Sequence, residues 1–182
     1  MKVHFSDWCD WADWRKTFAS KLREPGVYLI ARDVPCRTRA DPLSSGIIYI
    51  GETSDTLRKR LSAFETACRC YYGSHAGGNS LFKAEIFPEF QQTRDGLVNQ
   101  YGKERAKQEM RKLLTGRKKE LDKKWTSVCN DLSVAIWVSS DGLTSKFKNL
   151  AVEHVPKFVE VNLQAEYWIS NKRLPVYNKQ IG

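Results

Sequence analysis

The sequence predicts an α/β protein built around a small sheet of about three strands. Three short segments, at residues 26–32, 46–51 and 132–139, are apolar and rich in β-branched or aromatic residues. Glycines stand at the edges of the first two segments, which is typical of strands that end in turns. Helical patterns precede, separate and follow these segments, so strands and helices share one chain. The polar, proline-containing stretch 33–45 predicts a surface loop between the first two strands.

Four motifs follow one another along this framework. They are Gly-Val-Tyr at residues 26–28, Tyr-Ile-Gly at 49–51, Leu-Arg-Lys-Arg-Leu at 57–61, and Glu166 followed by Pro-Val-Tyr-Asn at 175–178. In this order they resemble the motifs of the GIY-YIG endonuclease family. The resemblance implies a mainly antiparallel, three-stranded sheet flanked by helices. It also implies hydrolysis of DNA phosphodiester bonds with the help of Mg²⁺ or Mn²⁺.

The resemblance assigns five residues to one catalytic pocket. Tyr28 is our preferred acceptor of a proton from water and Tyr49 then positions the water or the phosphate, although the opposite assignment stays open. Arg60 would neutralise charge that builds on the phosphoryl group. Glu166 would hold the divalent ion, since Mg²⁺ needs few protein ligands. Asn178 would support the pocket through hydrogen bonds of its side-chain amide.

The sequence departs from the family pattern at two places. The gap from Tyr49 to Arg60 is one residue longer than expected, and Lys59 stands at the shorter spacing. Phe64 stands where a histidine often follows the arginine by one turn. His75, in the glycine-rich stretch 71–80, is the candidate to replace it, either as a proton-transfer or phosphate-binding group or as an ordinary loop histidine. The same stretch predicts a mobile loop whose backbone could approach a phosphate.

The last helical segment, about 146–171 with Pro156 as a kink or break, singles out Glu166 without reference to any family. Glu166 continues an apolar helical stripe, which predicts a carboxylate on the inner side of the helix. Such a carboxylate must be paired or bind a cation, because burial of an isolated charge is unfavourable. A buried salt bridge or a helix-end hydrogen bond is the alternative to a metal ion. The stripe is Val152, Val155, Val159 and Leu163, and the polar residues assigned to the opposite face are Glu153, Lys157, Glu160, Gln164 and Asn171.

The chain carries a formal net charge of +9, concentrated in a basic helical segment at residues 99–129 with a break near Gly116. Positive charge of this density favours a polyanionic partner, and we expect DNA. The alternative is a solvated pair of helices with no nucleic-acid role. The predicted DNA-contacting residues are Lys103, Arg105, Lys107, Arg111, Lys112, Arg117, Lys118 and Lys119.

The N-terminal stretch 6–23 predicts a helix capped by Ser6, with Trp8, Trp11, Trp14 and Phe18 on one face. This stripe would pack on the sheet or, alternatively, meet a partner or the DNA backbone. The domain expected is a single nuclease domain over 1–182, with the N-terminal helix at 1–24, the catalytic core at 26–98 and 130–182, and the insertion at 99–129.

Other classes of protein are disfavoured. No apolar run reaches the roughly 18 residues of a membrane helix, and the acidic N-terminus fits no signal peptide, so we expect a soluble, cytoplasmic protein without a membrane partner. The five cysteines are scattered and lack zinc-site spacing, which favours free thiols.

The function expected is therefore site-specific cleavage of duplex DNA, as in restriction or phage defence, with a homodimer if the site is symmetric. A repair or branched-DNA nuclease is the first alternative, and a non-catalytic DNA-binding module is the second.

Overall fold

A computed structural model describes residues 3–141 and 154–179 and confirms the α/β class. Its antiparallel sheet has four strands in the order β1-β4-β2-β3. The strands are β1 Cys9–Asp10, β2 Gly26–Arg32, β3 Ile47–Thr53 and β4 Leu132–Val138. The three predicted strands are thus β2, β3 and β4, while β1 is an addition at the edge of the sheet.

The described residues contain seven α-helices, together with 3-10 turns at Trp11–Asp13 and Ser139–Asp141 and a π turn at Phe82–Ile86. The chain divides into two compact units, the sheet unit (residues 1–62 and 129–182) and the helical unit (63–128). The helical unit therefore extends well beyond the predicted insertion at 99–129. The helices are α1 Trp14–Thr17, α2 Leu57–Cys70, α3 Ala76–Leu81, α4 Phe90–Tyr101, α5 Lys103–Gly116, α6 Lys118–Cys129 and α7 Val155–Asn171.

The predicted N-terminal helix is wrong, because only the four residues of α1 are α-helical. The segment before it runs along β4: Ser6 donates its backbone N–H to the Ile136 carbonyl at 2.8 Å, and its hydroxyl accepts the Ile136 N–H at 3.0 Å. Ser6 thus binds the sheet instead of capping a helix. The aromatic residues of this segment are buried nonetheless, as the packing interpretation predicts.

The two faces of the sheet carry different residues. Val27, Leu29 and Ala31 belong to one hydrophobic core with Val159 and Leu163 of α7. Side chains alternate along a strand, so the intervening residues Tyr28 and Ile30 point to the other face. Pro156 lies in the first turn of α7, where its missing N–H is tolerated, and the predicted helical residues 146–153 lie outside the described residues.

The second half of the glycine-rich stretch 71–80 is helical, which corrects the prediction of a loop over the whole stretch. Residues 76–81 form α3, with Gly77 and Gly78 buried. Position 78 requires glycine for a steric reason. A Cβ atom there would lie 2.6 Å from the Phe64 carbonyl oxygen and 2.8 Å from the Ala67 Cβ of α2. Gly78 therefore allows close packing of α3 against α2.

The basic segment is helical as predicted, and its break falls at Arg117, between α5 and α6. A second break at Gly102, with φ of 75°, separates α4 from α5. None of the helices in the described ranges is long and apolar enough to cross a membrane.

Gly78→Ala should destabilise the helical unit by about 1–3 kcal/mol, because the new methyl group has no space against α2. Gly96→Ala is the matched control, since nothing lies within 4 Å of a Cβ at that position in α4. It should stabilise the protein by about 0.5–1 kcal/mol, the usual gain for Gly to Ala inside a helix. Denaturant unfolding followed by circular dichroism measures both changes. Equal effects of the two substitutions would contradict the packing argument.

Candidate active site

The register of β2 and β3 brings two tyrosines together. Tyr28 pairs with Gly51 and Ile30 pairs with Tyr49, so both phenol rings project from the same face of the sheet. Their ring centroids lie 6.0 Å apart at an interplanar angle of 37°. Tyr28 is fully buried, whereas Tyr49 keeps 6% of its surface exposed.

Gly51 is required for this arrangement. A Cβ atom at Gly51 would lie 2.5 Å from Cζ of Tyr28 and 2.6 Å from Cε1 of Tyr49. Neither distance is compatible with ordinary packing, and the rings belong to buried residues with little freedom to move. The absence of a side chain at this position therefore creates the space that the Tyr28 ring occupies.

Arg60 reaches both tyrosines from α2. The start of that helix is fixed to the end of the N-terminal segment, since Leu57 and Arg58 donate their N–H groups to the Glu24 and Leu22 carbonyls at 3.0 and 2.9 Å. The Arg60 guanidinium then lies within hydrogen-bonding reach of both phenols. Lys59, at the alternative spacing, is exposed and pairs with Asp55 at 2.6 Å. The geometry thus selects Arg60 over Lys59.

One donor in this cluster has no acceptor. The Nε–H of Arg60 is buried and makes no hydrogen bond within residues 3–141 and 154–179. An unsatisfied buried donor is unfavourable by about 1–3 kcal/mol, more when it is charged. Native proteins keep few such groups, and each is explained by strain, by a catalytic role or by a bound water or ion.

Burial controls the protonation of the two phenols. Desolvation raises the pKa of Tyr28 well above its usual value, and it also raises the pKa of Tyr49. Arg60 acts in the opposite direction on both pKa values, but the effect of burial is larger. Both tyrosines are therefore neutral near pH 7 in the protein alone.

Asn178 supports the strand that carries Tyr49. Its Oδ1 accepts the Ile50 N–H at 2.9 Å, and its Nδ2 donates to the Ile50 carbonyl at 2.8 Å. The neighbouring Tyr177 N–H binds the Ile48 carbonyl at 2.9 Å. The C-terminal segment thus satisfies the outer edge of β3, and Asn178 positions the backbone on both sides of Ile50.

The carboxylate that acts electrostatically on both tyrosines is Glu160, which the sequence analysis did not assign to the site. Glu160 is only 6% exposed and is close enough to raise the pKa of both phenols and to interact with Arg60. Burial raises the pKa of Glu160 itself, while Lys157, which donates to its Oε2 at 2.8 Å, lowers it. Glu52 of β3 also interacts electrostatically with Glu160 and Arg60.

The assignment of Glu160 and Gln164 to a solvent-facing side of α7 is therefore wrong. Gln164 is buried as well, and its side-chain amide donates to the Ile50 carbonyl at 3.4 Å. Glu166 is half-buried on the same helix, about 120° around the axis from Glu160. Val159 and Leu163 of its predicted stripe are buried, whereas Val152 lies outside the described residues.

His75 has a structural role in this geometry. It is fully buried, its Nδ1 accepts the Gly78 N–H at 3.2 Å at the start of α3, and its ring packs edge-on against Phe64 at 5.0 Å. These contacts favour the interpretation of His75 as an ordinary histidine and leave its imidazole no exposed surface for proton transfer.

The eight cations predicted to contact DNA fall into two groups. Four make ion pairs with neighbouring carboxylates: Lys107 with Glu104, Lys112 with Glu109, Lys118 with Asp122, and Arg117 with both Glu120 and Glu89. Of these, Arg117 is half-buried and lies 4.6 Å from the Phe87 ring, so it stabilises the helical unit itself. The other four make no ion pair within the described part of the chain, and they are Lys103, Arg105, Arg111 and Lys119.

The described residues contain no cluster of three or more His, Cys, Asp or Glu side chains arranged for a metal ion. The site is instead a pair of phenols, a guanidinium and nearby carboxylates. Searches with this chain found no matching family model, no matching curated protein and no matching solved structure.

Tyr28→Phe should flatten the loss of stability at alkaline pH. A folded-state pKa raised above about 10 means that the stabilisation is complete below about pH 10 and is lost as the pH rises through the folded-state pKa. The variant lacks this ionisation, so its free energy of unfolding should fall less steeply above about pH 10 than that of the wild type. Tyr101→Phe, at an exposed position of the helical unit, should keep the wild-type slope. Identical slopes for wild type and Tyr28→Phe would contradict the buried, neutral phenol.

Proposed function

We propose that this chain is a metal-dependent DNA endonuclease of the GIY-YIG family that hydrolyses phosphodiester bonds in duplex DNA. The main support is the Tyr28–Tyr49–Arg60 cluster, because these are the residues that the sequence motifs assign to one pocket. The resemblance also implies the family's fold, with β2, β3 and β4 as its three strands and β1 as an addition. A restriction or phage-defence role is the form of this activity that we expect.

The unsatisfied Nε–H of Arg60 suits a phosphate ligand. A guanidinium presents several donors in a fixed plane, and a phosphoryl oxygen is a strong, charged acceptor. Charge that builds on the phosphoryl group during cleavage would strengthen this contact, which is the requirement for transition-state stabilisation.

The donor set is compatible with Mg²⁺ or Mn²⁺. Magnesium keeps several waters and is held by one or two carboxylates together with substrate phosphates, so a cluster of three ligands is not needed. Glu166 would be the ligand, as the motif spacing implies. It is half-buried, so part of its surface is accessible to solvent. When bound, the ion would polarise the phosphate and stabilise the departing oxygen.

Hydrolysis also needs an acceptor for the proton of the attacking water. We assign this role to Tyr49 in place of Tyr28, the acceptor preferred from the sequence, because Tyr49 keeps 6% of its surface exposed while Tyr28 is fully buried. The water oxygen bonds to phosphorus, its proton passes to the Tyr49 phenolate, and the bond to the leaving oxygen breaks. Burial has the larger effect and raises the pKa of Tyr49, while hydrogen bonds with Tyr28 and Arg60 lower it. The charge of a bound divalent ion would lower it further and so favour the phenolate.

Arg60→Gln should lower the rate of plasmid cleavage by about 10²–10³-fold, the usual loss when one charge-stabilising donor is removed. Arg58→Gln is the matched control: Arg58 lies on the same helix, is exposed, and makes no contact with the tyrosines among those described. Cleavage is measured with supercoiled plasmid in Mg²⁺ and in EDTA. No cleavage of any DNA by the wild type would favour a non-catalytic DNA-binding module, and sequencing of the ends separates a fixed site from structure-selective cutting.

Substitution of the two glutamates of α7, Glu160 and Glu166, should change cleavage in different ways. Glu166→Gln should raise the Mg²⁺ concentration needed for half-maximal cleavage, because it removes a charged ligand. Glu160→Gln should instead move the pH–rate profile to lower pH, because the negative charge that raises the pKa of Tyr49 is lost. Both are followed as cleavage rates over a Mg²⁺ titration and a pH series. A larger Mg²⁺ requirement in Glu160→Gln alone would make Glu160 the metal ligand.

A further inference from the structure

The helical unit contains a pocket that the cleavage proposal does not use. It has a volume of about 320 Å³ and lies between the residues that follow α2 and the facing sides of α4 and α5. Volumes of this size accommodate small ligands. All the lining residues fall within the helical unit, so the pocket belongs to that unit alone.

The walls of the pocket are aromatic and apolar. Tyr71, Tyr72 and Phe90 line it together with Val98 and Met110. The Tyr71 and Phe90 rings pack against each other with their centroids 3.9 Å apart, and this contact holds the aromatic wall in place. Tyr72 differs, because 47% of its surface is exposed. Its ring is therefore partly exposed at the pocket.

The rim of the pocket is positively charged. Four cations line it, namely Arg94, Lys103, Lys107 and Arg111, against the single carboxylate of Glu104. Lys107 already binds Glu104 at 2.8 Å, which neutralises that carboxylate. The Arg111 guanidinium lies 5.4 Å from the centroid of the Tyr72 ring. The remaining rim charge is available to an anion.

An exposed aromatic ring beside several cations matches the two parts of a nucleotide. A base stacks on aromatic side chains whatever its identity, while arginine and lysine contact the adjacent phosphates. A base inside a duplex cannot reach such a pocket, because both of its faces are covered by neighbouring base pairs. A polyanion without rings would leave the tyrosine face unused, and a neutral apolar ligand would leave the cations unused.

We infer that this pocket holds an unstacked base of a single-stranded DNA segment, with the rim cations on the flanking phosphates. The inference rests on the proposed function only for the choice of DNA as the polymer. It adds a substrate class to that function, namely DNA that carries single-stranded or extruded nucleotides.

The test measures binding in EDTA, where cleavage does not interfere. Fluorescence anisotropy compares a labelled oligodeoxynucleotide of about 16 nucleotides, the upper end of common site sizes, with its blunt duplex. Tyr72→Ala should weaken single-strand binding about tenfold, because loss of one stacked base has an effect of this order. Tyr72→Phe keeps the ring and should bind like the wild type.

Tyr101→Ala is the matched control, and it should bind like the wild type. Tyr101 is also an exposed tyrosine of the helical unit, with the Arg105 guanidinium 4.8 Å from its ring centroid, but it does not line the pocket. Duplex binding should change equally little in all three tyrosine variants. Arg94→Gln with Lys103→Gln, two exposed rim positions, should weaken single-strand binding and reduce its salt dependence without altering the aromatic wall.

The inference is overturned if the wild type binds the duplex as tightly as the single strand, or if Tyr72→Ala and Tyr101→Ala lose the same affinity. An RNA oligonucleotide of the same sequence that binds more tightly than the DNA would also overturn the choice of polymer. Photocross-linking of a 5-iododeoxyuridine oligonucleotide, mapped by mass spectrometry, should mark Tyr71 or Tyr72. If the wild type cleaves no DNA but Tyr72→Ala still weakens single-strand binding, the nuclease proposal is contradicted while the inference about the pocket is supported.

Discussion

The geometry of the site depends on one steric constraint, the lack of a side chain at Gly51. Because Tyr28 lies directly opposite Gly51 in the β2–β3 pair, its phenol fills the space that any other residue would occupy. This contact brings the Tyr28 and Tyr49 rings within 6.0 Å and leaves the Arg60 guanidinium beside both. A one-residue shift in register would move Tyr28 to the face covered by α7 and separate the cluster.

The sequence predicts those parts of the fold whose pattern is local. The strands β2, β3 and β4 follow from runs of apolar residues at residues 26–32, 46–51 and 132–139. The prediction for the N-terminal segment is wrong because tryptophans spaced by three and four residues are compatible with a helix and also with a chain that passes through several turns. Hydrogen bonds from Ser6 to β4 decide between the two, and β4 is about 130 residues away in the sequence.

Glu160 and Gln164 show a second limit of pattern reasoning. A polar residue on a helix predicts a solvated face unless its partner is known, and here the partners are Lys157 and the Ile50 carbonyl. The same holds for charge. The run of cations at 103–119 predicts a DNA-binding surface, but half of those residues already bind carboxylates in the helical unit. Charge in the sequence therefore sets an upper limit on the charge that is available to a ligand.

Burial of the cluster has a consequence for its chemistry. Because the two phenols are neutral, the desolvated guanidinium of Arg60 carries the charge of the cluster itself, while Glu52 and Glu160, the latter paired with Lys157, act on it from nearby. A phosphate diester carries one negative charge, so its arrival would balance Arg60 and satisfy the Nε–H that now lacks an acceptor. A second anion would not be balanced in this way, because Glu160 and Glu52 already contribute negative charge nearby. Negative charge that develops beyond the ground-state diester therefore needs a further cation, and this is the electrostatic reason to expect a divalent metal ion in the proposed reaction.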